Sequence, residues 1–519
     1  MRELGDFQTP PALVSAVLRW LAPNGSRWRR ALEPTCGRGH FLTGLLDLEP
    51  PLDEVHGLEI QEAHLEEARK AADAASRNRI VRIERGDVFA RDLRQSPPWS
   101  TRGPLLIVGN PPWVTSAELG LLDSTNHPEK SNVHRSSGLD ARTGEANFDL
   151  AEAVWIKLLR EFGAEPDRVT VALLCKVSVA RRVLMFAARN GLALADAAIV
   201  RLDARAWFQA SVDACLLRVT LDSTNRTEAT GLTRIPVYAG FDSESPESIL
   251  GLVRGLLVTD LSAYEPVAYA EGQSPCVWRQ GIKHDAAPLM ELERDPQGIY
   301  RNRAGEEVDL EPGHVLPLLK GTDLARGRNL HDPRRAVVVT QRRVGEETRT
   351  LAGSAPRLWN YLSRHHAALA ARRSSVYRSQ PPYAMFGVGP YTFAPFKTAV
   401  SSLHRDPCFR VLGPVDGRPI LLDDTCYFVP SATPERAALI AALANLPDAR
   451  QFLRAVGGSG SKRVVTKALL QRLDLRALLR QARTRDVLDP AHETVVQLAG
   501  RPPDWPASLE TLLDSDGPY

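Results

Sequence analysis

Between residues 12 and 222, short apolar runs alternate with amphipathic stretches of helical period, and this alternation limits the possible folds of the chain. A strand followed by a helix and then by another strand is typical of a parallel sheet that helices cover on its faces. The predicted strands are Arg30–Glu33, Val55–Glu59, Arg79–Arg85, Leu105–Gly109, Thr170–Cys175, Ala198–Asp203 and Ala214–Leu221. Helices are predicted between the strands, among them Glu62–Ala75 and Leu150–Phe162. The first part of the chain is therefore predicted to be an α/β domain.

The regular alternation ends near residue 222, and the remainder of the 519 residues mixes short strands with helices. A chain of this length is long for a single core, so at least two domains are expected. Segment 221–231, "LDSTNRTEATG", is predicted to link them. The later helices are predicted at Pro434–Leu446, Asp448–Val456 and Lys467–Thr484. The predicted domains are 1–222, 232–500 and a loosely attached acidic, proline-rich tail, 501–519.

The composition is that of an ordinary globular protein, with 43% hydrophobic and 24% charged residues. A net charge of +3 does not indicate a nucleic-acid binder, so any basic surface must be local. The six cysteines show neither a C-x-x-C pair nor a zinc-binding spacing, which predicts reduced thiols and no metal. The sequence shows no signal peptide and no apolar run of membrane-spanning length, and a cytoplasmic location is expected.

Glycines or acidic residues follow three successive predicted strands. Gly37 and Gly39 follow the first strand, Glu59 ends the second, and Asp87 comes just after the third. Glycines let a backbone approach a ligand, and the next helix N-terminus offers free N–H groups. An acid at the end of the second strand is typical of ribose recognition. A tight turn or a surface charge would explain each residue alone, but the ordered set predicts an adenosine-containing ligand at this edge of the sheet.

Residues 110–113, "NPPW", end the fourth predicted strand. The structural alternative is a strand-ending turn with a buried tryptophan, since proline cannot donate to a ladder. The chemical interpretation uses the Asn110 side-chain oxygen and the Pro111 carbonyl as two rigid acceptors for the hydrogens of an exocyclic amine. Such acceptors stabilise the charge that develops when the nitrogen attacks a methyl group. Trp113 then offers a flat face to a base that has left the duplex.

Five motifs occur in an order that is typical of one enzyme family. They are "GDFQTP" (5–10), "EPTCGRGHFL" (33–42), Glu59, "GDVF" (86–89) and "NPPW" (110–113). The set resembles motifs X, I, II, III and IV of the gamma-class adenine-N6 DNA methyltransferases of restriction–modification systems, which are TaqI-like and share NPP[YFW]. The resemblance covers roughly the first 220 residues strongly and the rest in outline. It implies a Rossmann-like sheet of S-adenosylmethionine-dependent methyltransferases, followed by a C-terminal mixed α+β target-recognition domain.

The resemblance also implies a set of site residues. S-adenosyl-L-methionine is the implied cofactor, and its implied ligands are Thr9, Glu33, Cys36, Gly37, Glu59, Asp87, Val88 and Asn110. The implied catalytic residues are Asn110, Pro111, Trp113 and Phe208. Phe208 lies in "RAWFQASVDACLLRV" and would pack on the flipped base, although core packing explains it equally well. The helix after motif IV would back the cofactor pocket, with Asn147 and Asp149 near the site.

The local sequence gives Thr9 a second interpretation. Thr9 is a good helix N-cap, and Pro10 suits the first position of a helix. This structural role and the cofactor role are compatible.

The C-terminal part is expected to bind double-stranded DNA through loops rich in Arg, Lys and Gln. The nominated residues are Lys283, Arg342, Arg343, Lys462 and Arg463. Each cluster alone is more often a solvated surface. A separate restriction nuclease or a defence-complex subunit is a further expected partner.

Other functions stay open from sequence alone. The chain is alternatively a DNA-recognition subunit that needs a partner, or an RNA or protein N-methyltransferase that uses the same NPPW chemistry. A cytosine-C5 enzyme would need a Pro-Cys nucleophile at the motif IV position, and N4-cytosine enzymes more often have serine where this chain has Asn110. The long polar segment 114–148 is of the size that is usually functional or disordered.

Overall fold

The computed structural model describes residues 8–25, 27–76, 79–95, 98–114, 149–192, 194–223, 234–253, 256–372, 374–457 and 463–514. The chain forms two compact units, Met1–Ser262 and Ala263–Tyr519. Segment 115–148, which includes Asn147, lies outside the described residues, as does Lys462. Among the described residues, no helix is both long and apolar enough to cross a membrane.

The first unit is built on a sheet that contains ten strands within the described residues. They are β1 (Arg30–Glu33), β2 (Glu54–Glu59), β3 (Ile80–Arg85), β4 (Leu105–Gly109), β5 (Val169–Lys176), β6 (Leu194–Leu202), β7 (Ala214–Leu221), β8 (Arg234–Tyr238), β9 (Ser248–Val253) and β10 (Leu256–Val258). Their order is β10-β9-β8-β6-β7-β5-β4-β1-β2-β3. The strands from β3 to β5 are parallel, and β7 lies antiparallel between β5 and β6. This arrangement confirms the predicted Rossmann-like methyltransferase sheet.

Helices connect the strands of the first unit. They are α1 (Pro11–Leu21), α2 (His40–Leu46), α3 (Glu62–Ala75), α4 (Leu150–Phe162), α5 (Val177–Arg189) and α6 (Ala204–Phe208). Every residue of β1, β2 and β4 is buried, which is typical of parallel strands covered on both faces. The predicted bounds of β1, β4, β7, α3 and α4 agree with the structure.

Two predicted boundaries in this unit differ from the structure because of helix caps. The sixth strand ends at Leu202 and not at Asp203, because the Asp203 carboxylate caps α6 by accepting from the N–H groups of Arg205 and Ala206. Helix α1 begins at Pro11, with Pro10 at the cap position, so Pro10 is not its first helical residue and the Thr9 side chain does not cap it.

The first unit ends later than the predicted boundary at residue 222. Strand β8 pairs in parallel with β6, through Ile199 opposite Val237, and β9 and β10 extend the same edge. These short strands complete the sheet and therefore belong with it. A short helix, α7 (Leu261–Tyr264), spans the boundary between the units.

The second unit has the predicted mixed α+β composition. Its strands within the described residues are β11 (Arg279–Gln280), β12 (Glu291–Arg294), β13 (Tyr300–Arg301), β14 (Val315–Leu319), β15 (Arg335–Val338), β16 (Phe396–Ser401), β17 (Arg410–Leu412), β18 (Leu421–Leu422) and β19 (Cys426–Ser431). They form a four-stranded sheet of order β11-β19-β16-β17 and a five-stranded sheet of order β13-β12-β15-β14-β18. The helices are α8 (Ala287–Met290), α9 (Gly321–Arg326), α10 (Leu351–Ser354), α11 (Pro356–Arg364), α12 (His366–Ala370), α13 (Pro434–Asn445), α14 (Pro447–Val456), α15 (Lys467–Leu470), α16 (Leu475–Gln481) and α17 (Thr484–Ala499).

The end of the chain differs from the prediction in two respects. The predicted helix over 467–484 is interrupted, because the Asp474 side chain caps a new helix, α16. The tail is not loose over residues 501–514, since Leu513 is fully buried and Arg501 forms an ion pair of 2.7 Å with Glu435.

A buried polar network fixes the start of β2. The Glu54 carboxylate accepts from Nε2–H of His56 at 2.8 Å and from the main-chain N–H groups of Ser100 and Thr101. His56 stacks on Trp99 with ring centroids 3.9 Å apart. Burial lowers the pKa of His56 to about 4, despite the opposing effect of the hydrogen bond that His56 donates to Glu54. Burial would raise the pKa of Glu54, but hydrogen bonds from His56 and then Thr101 hold it below its ordinary value.

We expect this network to make the protein sensitive to acid. A group whose pKa is lower in the folded state stabilises the fold above its unfolded pKa, and this stability is lost as the pH falls towards the folded pKa. For His56 the window runs from 6.5 down to about 4, and the loss is about 3 kcal/mol across it. The His56→Gln variant retains a donor but does not titrate, so its free energy of unfolding should depend less steeply on pH. Urea unfolding between pH 4 and 7 measures this slope. The exposed His492→Gln variant is the control, and a slope in His56→Gln as steep as in the wild type would contradict the assignment.

Candidate active site

A cavity of about 320 Å³ opens at the carboxyl ends of β1 to β4. All eight residues that the sequence nominated for cofactor binding line it: Thr9, Glu33, Cys36, Gly37, Glu59, Asp87, Val88 and Asn110. The strands bring seven of them together because parallel neighbours end at the same edge of the sheet, and Thr9 reaches the cavity from the segment before α1. Their binding roles stay predictions.

The loop between β1 and α2 depends on its glycines. Gly37 and Gly39 have φ angles of 49° and 83°, in the left-handed region that favours glycine. A Cβ atom on Gly39 would lie 3.0 Å from both Cα and Cβ of Ala68 on α3. A Cβ on Gly37 would lie 2.9 Å from Oε1 of Gln8. Glycine therefore lets this loop pass close to two neighbouring segments at the wall of the cavity.

The Glu59 carboxylate joins the ends of two strands. Its Oε2 accepts from the Gly37 N–H at 2.7 Å, and its Oε1 accepts from the N–H groups of Ile60 and Gln61 at 3.0 and 2.9 Å. A carboxylate has about four lone-pair sites, so these three bonds leave it able to accept from a ligand. Glu59 thus shapes the loop and still presents an acceptor to the cavity.

Glu33, at the end of β1, is only 3% exposed. Within the described residues its Oε2 has no hydrogen-bond partner. Burial raises the pKa of Glu33 well above its ordinary value, and the nearby charge of Glu59 raises it further, while a hydrogen bond from the Leu42 backbone opposes the shift. Two buried carboxyl groups in one cavity favour a cationic ligand, because a positive charge would offset their repulsion and desolvation.

Cys36 is buried at the wall of the cavity, in surroundings that disfavour its thiolate. Burial, followed by the charges of Glu33 and Glu59, raises the pKa of the Cys36 thiol well above its ordinary value. A thiol must ionise before it attacks an electrophile. Cys36 therefore serves as a wall of the cavity.

At the end of β3, the side chain of Asp87 accepts from the Phe89 N–H at 2.9 Å and so stabilises its own loop. Val88 is 8% exposed and lines the cavity next to it.

The NPPW segment lies directly after β4. Asn110 and Pro112 line the cavity, and Pro111 is buried. The Trp113 indole is 5% exposed, and its Nε1–H donates to the Leu174 carbonyl at 3.3 Å. The segment is therefore held against β5 at its tryptophan while its asparagine borders the cavity.

Phe208 lies against Trp113. The ring centroids are 5.3 Å apart, and the rings meet edge to face at 75°. Phe208 is 9% exposed, so the two rings pack together in the core of the unit. This contact agrees with the packing alternative, and the stacking role of Phe208 stays a prediction.

The sequence did not nominate Lys176 as a functional residue. Its Nζ donates to the Trp113 carbonyl at 2.9 Å and to Oδ2 of Asp149 at 2.8 Å. A lysine that follows an apolar strand gives no sequence signal, because the usual explanation is a solvated strand end.

Gln8 was present in the quoted motif but not nominated, and its Oε1 accepts from the Arg38 N–H at 3.2 Å.

The nominated DNA-binding cations that the structure describes lie in the second unit. They differ in the contacts that they make within the protein. The Arg342 guanidinium lies 4.3 Å from the Phe393 ring centroid and donates to the Gly313 carbonyl. Arg343 is exposed. Lys283 lies 3.5 Å from Asp285, and Arg463 pairs with Asp424 at 3.1 Å. Over the described ranges, no group of three or more His, Cys, Asp or Glu residues is arranged to hold a metal ion.

Comparison with known proteins places the chain in a family. It is 32% identical over 484 residues to the type II methyltransferase M.NspV of Nostoc sp. (strain ATCC 29411 / PCC 7524), covering 92% of this chain and 97% of that protein. No protein-family model matches the chain.

Solved structures resemble the chain only distantly. The type IIL restriction-modification enzyme MmeI in complex with DNA is 12% identical, with a TM-score of 0.46 over 97% of this chain and 74% of that one. A type I restriction-modification methyltransferase subunit of Streptococcus thermophilus is 14% identical, with a TM-score of 0.31 over 45% of this chain and 46% of that one. The assignment therefore rests on the Nostoc enzyme, whose similarity extends over nearly the whole of both chains. The chain belongs to the family of type II methyltransferases.

Proposed function

We propose that the protein is a site-specific DNA adenine-N6 methyltransferase of a restriction–modification or phage-defence system, with S-adenosyl-L-methionine as its cofactor. The observation that carries the proposal is the position of NPPW, whose Asn110 borders the same cavity as Glu33 and Glu59. An amine-directed acceptor thus lies beside a pocket that is suited to a cationic, adenosine-containing ligand.

The residues of the cavity fit the proposed cofactor. S-adenosylmethionine carries an ammonium and a sulfonium charge, a ribose diol and an adenine. Glu33 offers an unpartnered carboxylate oxygen within the described structure, which suits a positive charge. Glu59 retains acceptor capacity for ribose hydroxyls, and Asp87, Val88 and Phe89 form the adjoining wall. When bound, the cofactor supplies a methyl group that its sulfonium makes transferable.

The protein's part in the proposed reaction is to activate the amine. The lone pair of an adenine amine is delocalised into the ring, so the nitrogen is a poor nucleophile. Asn110 Oδ1 and the Pro111 carbonyl would each accept one N–H of the amine and favour a tetrahedral nitrogen. Acceptors that are already in position cost no reorganisation during the reaction. The prolines restrict the backbone and keep this geometry rigid.

A flipped adenine requires the aromatic pair to separate. A base stacked between two rings needs roughly 7 Å between them, since each face-to-face contact takes about 3.5 Å. The Trp113 and Phe208 centroids are 5.3 Å apart in an edge contact. Phe208 ends a five-residue helix, α6, and is followed by Gln209 in a left-handed conformation. We infer that Phe208 and α6 move while Trp113 stays attached to β5.

The second unit is the proposed target-recognition domain. Arg343 is exposed at a turn that the Glu346 carboxylate closes by accepting from the N–H groups of Arg342 and Arg343. Arg342 is held in place by its contacts with Phe393 and Gly313. Cations that a rigid turn presents are suited to phosphates and base edges. On binding DNA, Lys283 and Arg463 would leave their carboxylate partners in the protein and contact phosphates instead. Lys462 completes the proposed set. A separate restriction nuclease or defence-complex subunit is the proposed protein partner, on the basis of the type II family.

Removal of the Asn110 acceptor should strongly lower the rate of DNA methylation. The chain is expressed in a bacterium that lacks its own DNA methylation, and N6-methyladenine is mapped by single-molecule sequencing. We expect one sequence motif to be modified by the wild type, and Asn110→Ala to lower the rate by on the order of 10² to 10³-fold. Asn190→Ala, at the exposed end of α5, is the matched control.

Three results would contradict the adenine assignment. In the first, the wild type binds the cofactor but modifies no DNA motif. In the second, the methyl groups appear on cytosine. In the third, they appear on RNA or protein, which would support an N-methyltransferase that acts on another substrate.

Glu33→Gln should weaken cofactor binding. Loss of one charge-assisted hydrogen bond costs about 2 kcal/mol, which is roughly a 30-fold increase in Kd. Because the pKa of Glu33 is raised, wild-type affinity should also fall as the pH is lowered, whereas Glu33→Gln should lose this dependence. Isothermal titration calorimetry of S-adenosylmethionine at several pH values measures both effects. Glu84→Gln, on β3 outside the cavity, is the control. Equal affinities of Glu33→Gln and wild type would show that Glu33 does not bind the cation.

Arg343→Ala should weaken DNA binding about equally across sequences if Arg343 contacts a phosphate. Each phosphate contact contributes about one unit to the slope of log K against log salt concentration. Fluorescence anisotropy with a labelled duplex at several salt concentrations measures this slope. Arg485→Ala, an exposed arginine on α17, removes the same charge at another position. If both variants have the wild-type slope, Arg343 makes no phosphate contact.

A further inference from the structure

Lys176 connects the NPPW segment to helix α4, which is the next described helix after that segment in the sequence. Lys176 is the last residue of β5 and the residue before α5. Its ammonium donates to the Trp113 carbonyl at 2.9 Å and to Oδ2 of Asp149 at 2.8 Å. The side chains of Lys176 and Asp149 are 22% and 4% exposed. Because this ion pair is largely shielded from water, it is stronger than an ordinary surface pair.

Asp149 in turn fixes the start of α4. Its Oδ1 accepts from the Ala151 N–H at 3.1 Å, which caps the helix. Leu150 and Val154, in the first turns of α4, line the cofactor cavity. The Leu150 N–H also donates to the Val114 carbonyl at 2.9 Å. Lys176 and this hydrogen bond therefore hold together the chain at Trp113–Val114 and the chain at Asp149–Leu150, two points that are distant in sequence.

The pKa of Asp149 is raised by burial, and Lys176 opposes this shift through its hydrogen bond and its charge, with a smaller lowering by Arg182. Arg182 itself pairs with Glu152 on α4, and the Cys175 thiol lies next to Lys176 on β5. Without the Lys176 ammonium, Asp149 would take up a proton at a higher pH and would lose its charged contact.

We propose that Lys176, through Asp149 and the Trp113 carbonyl, is a positioning residue for methyl transfer. It fixes the end of the acceptor segment relative to the wall of the cofactor cavity. The proposal rests on the proposed methyltransferase reaction for its kinetic consequence, but the structural clasp formed by Lys176, Asp149 and the Trp113 carbonyl can be tested without activity. Small displacements matter at such a site, since a misplacement of about 1 Å costs on the order of 10²-fold in rate.

The kinetic test compares Lys176→Met and Lys176→Arg with the wild type. We expect Lys176→Met to lower kcat for DNA methylation by about 10 to 100-fold, with the Kd for S-adenosylmethionine changed by less than about 3-fold. The acid limb of its pH–rate profile should move to higher pH, because Asp149 loses its cation. Lys176→Arg should recover most of the rate. Lys157→Met is the matched control, since Lys157 pairs with Glu161 on the same helix, with side-chain exposures of 16% and 18%.

Hydrogen–deuterium exchange of the cofactor-free protein tests the clasp independently of catalysis. Amides near the start of α4 should exchange faster in Lys176→Met than in Lys157→Met or the wild type. Unchanged exchange together with wild-type kcat and pH profile would overturn the proposal. Equal losses of kcat, cofactor affinity and thermal stability would also overturn it, since they would show a purely structural role. If the wild type modifies no DNA but the amides at the start of α4 exchange faster in Lys176→Met, the proposed function is wrong. The structural role of Lys176 is then still supported.

Discussion

The Glu59 carboxylate binds three main-chain N–H groups, and the geometry of the cavity depends on these bonds. One of them comes from Gly37, in the loop after β1, and two come from Ile60 and Gln61, after β2. The loops that follow two neighbouring strands thus share a single anion. Gly37 can approach this anion because its backbone has a left-handed conformation and no Cβ meets Gln8. The side of the pocket between β1 and β2 consequently takes its shape from these main-chain groups.

The charge of Glu59 also makes it less favourable to bury an ionised Glu33 beside it. Glu33 is buried beside Glu59, and the proximity of the two acids raises the pKa of Glu33 after burial has already done so. Such a pair is unfavourable in isolation, because buried carboxylates lose hydration and repel each other. A cationic ligand would convert this unfavourable pair into two charge-assisted contacts. Under the proposed function, the desolvation of Glu33 would therefore favour a cationic ligand over a neutral one.

The sequence predicted the elements that local patterns control. The strands β1 and β4 and the helices α3 and α4 have their predicted bounds, because apolar periodicity and flanking turns mark them. Seven of the eight residues nominated for cofactor binding converge because they lie at or just after the carboxyl ends of parallel strands. Contacts between distant segments could not be predicted in this way. The first unit extends past the predicted boundary because β8 pairs with β6. The contacts of Lys176 with Trp113 and Asp149 depend on where β5 ends in space.

The two parts of the proposed base site differ in how firmly they are held, and this difference suits base flipping. Trp113 is attached to β5 twice, through its indole N–H to Leu174 and through its carbonyl to Lys176. Phe208 ends a helix of only five residues that a single carboxylate, Asp203, caps. Acceptors for the amine must keep their geometry to lower the barrier, whereas one ring must move to admit the base. In the proposed reaction, the acceptor segment directly follows the central strand β4 and is attached to β5, whereas Phe208 lies on a short connecting helix, so each requirement falls on an element that can meet it.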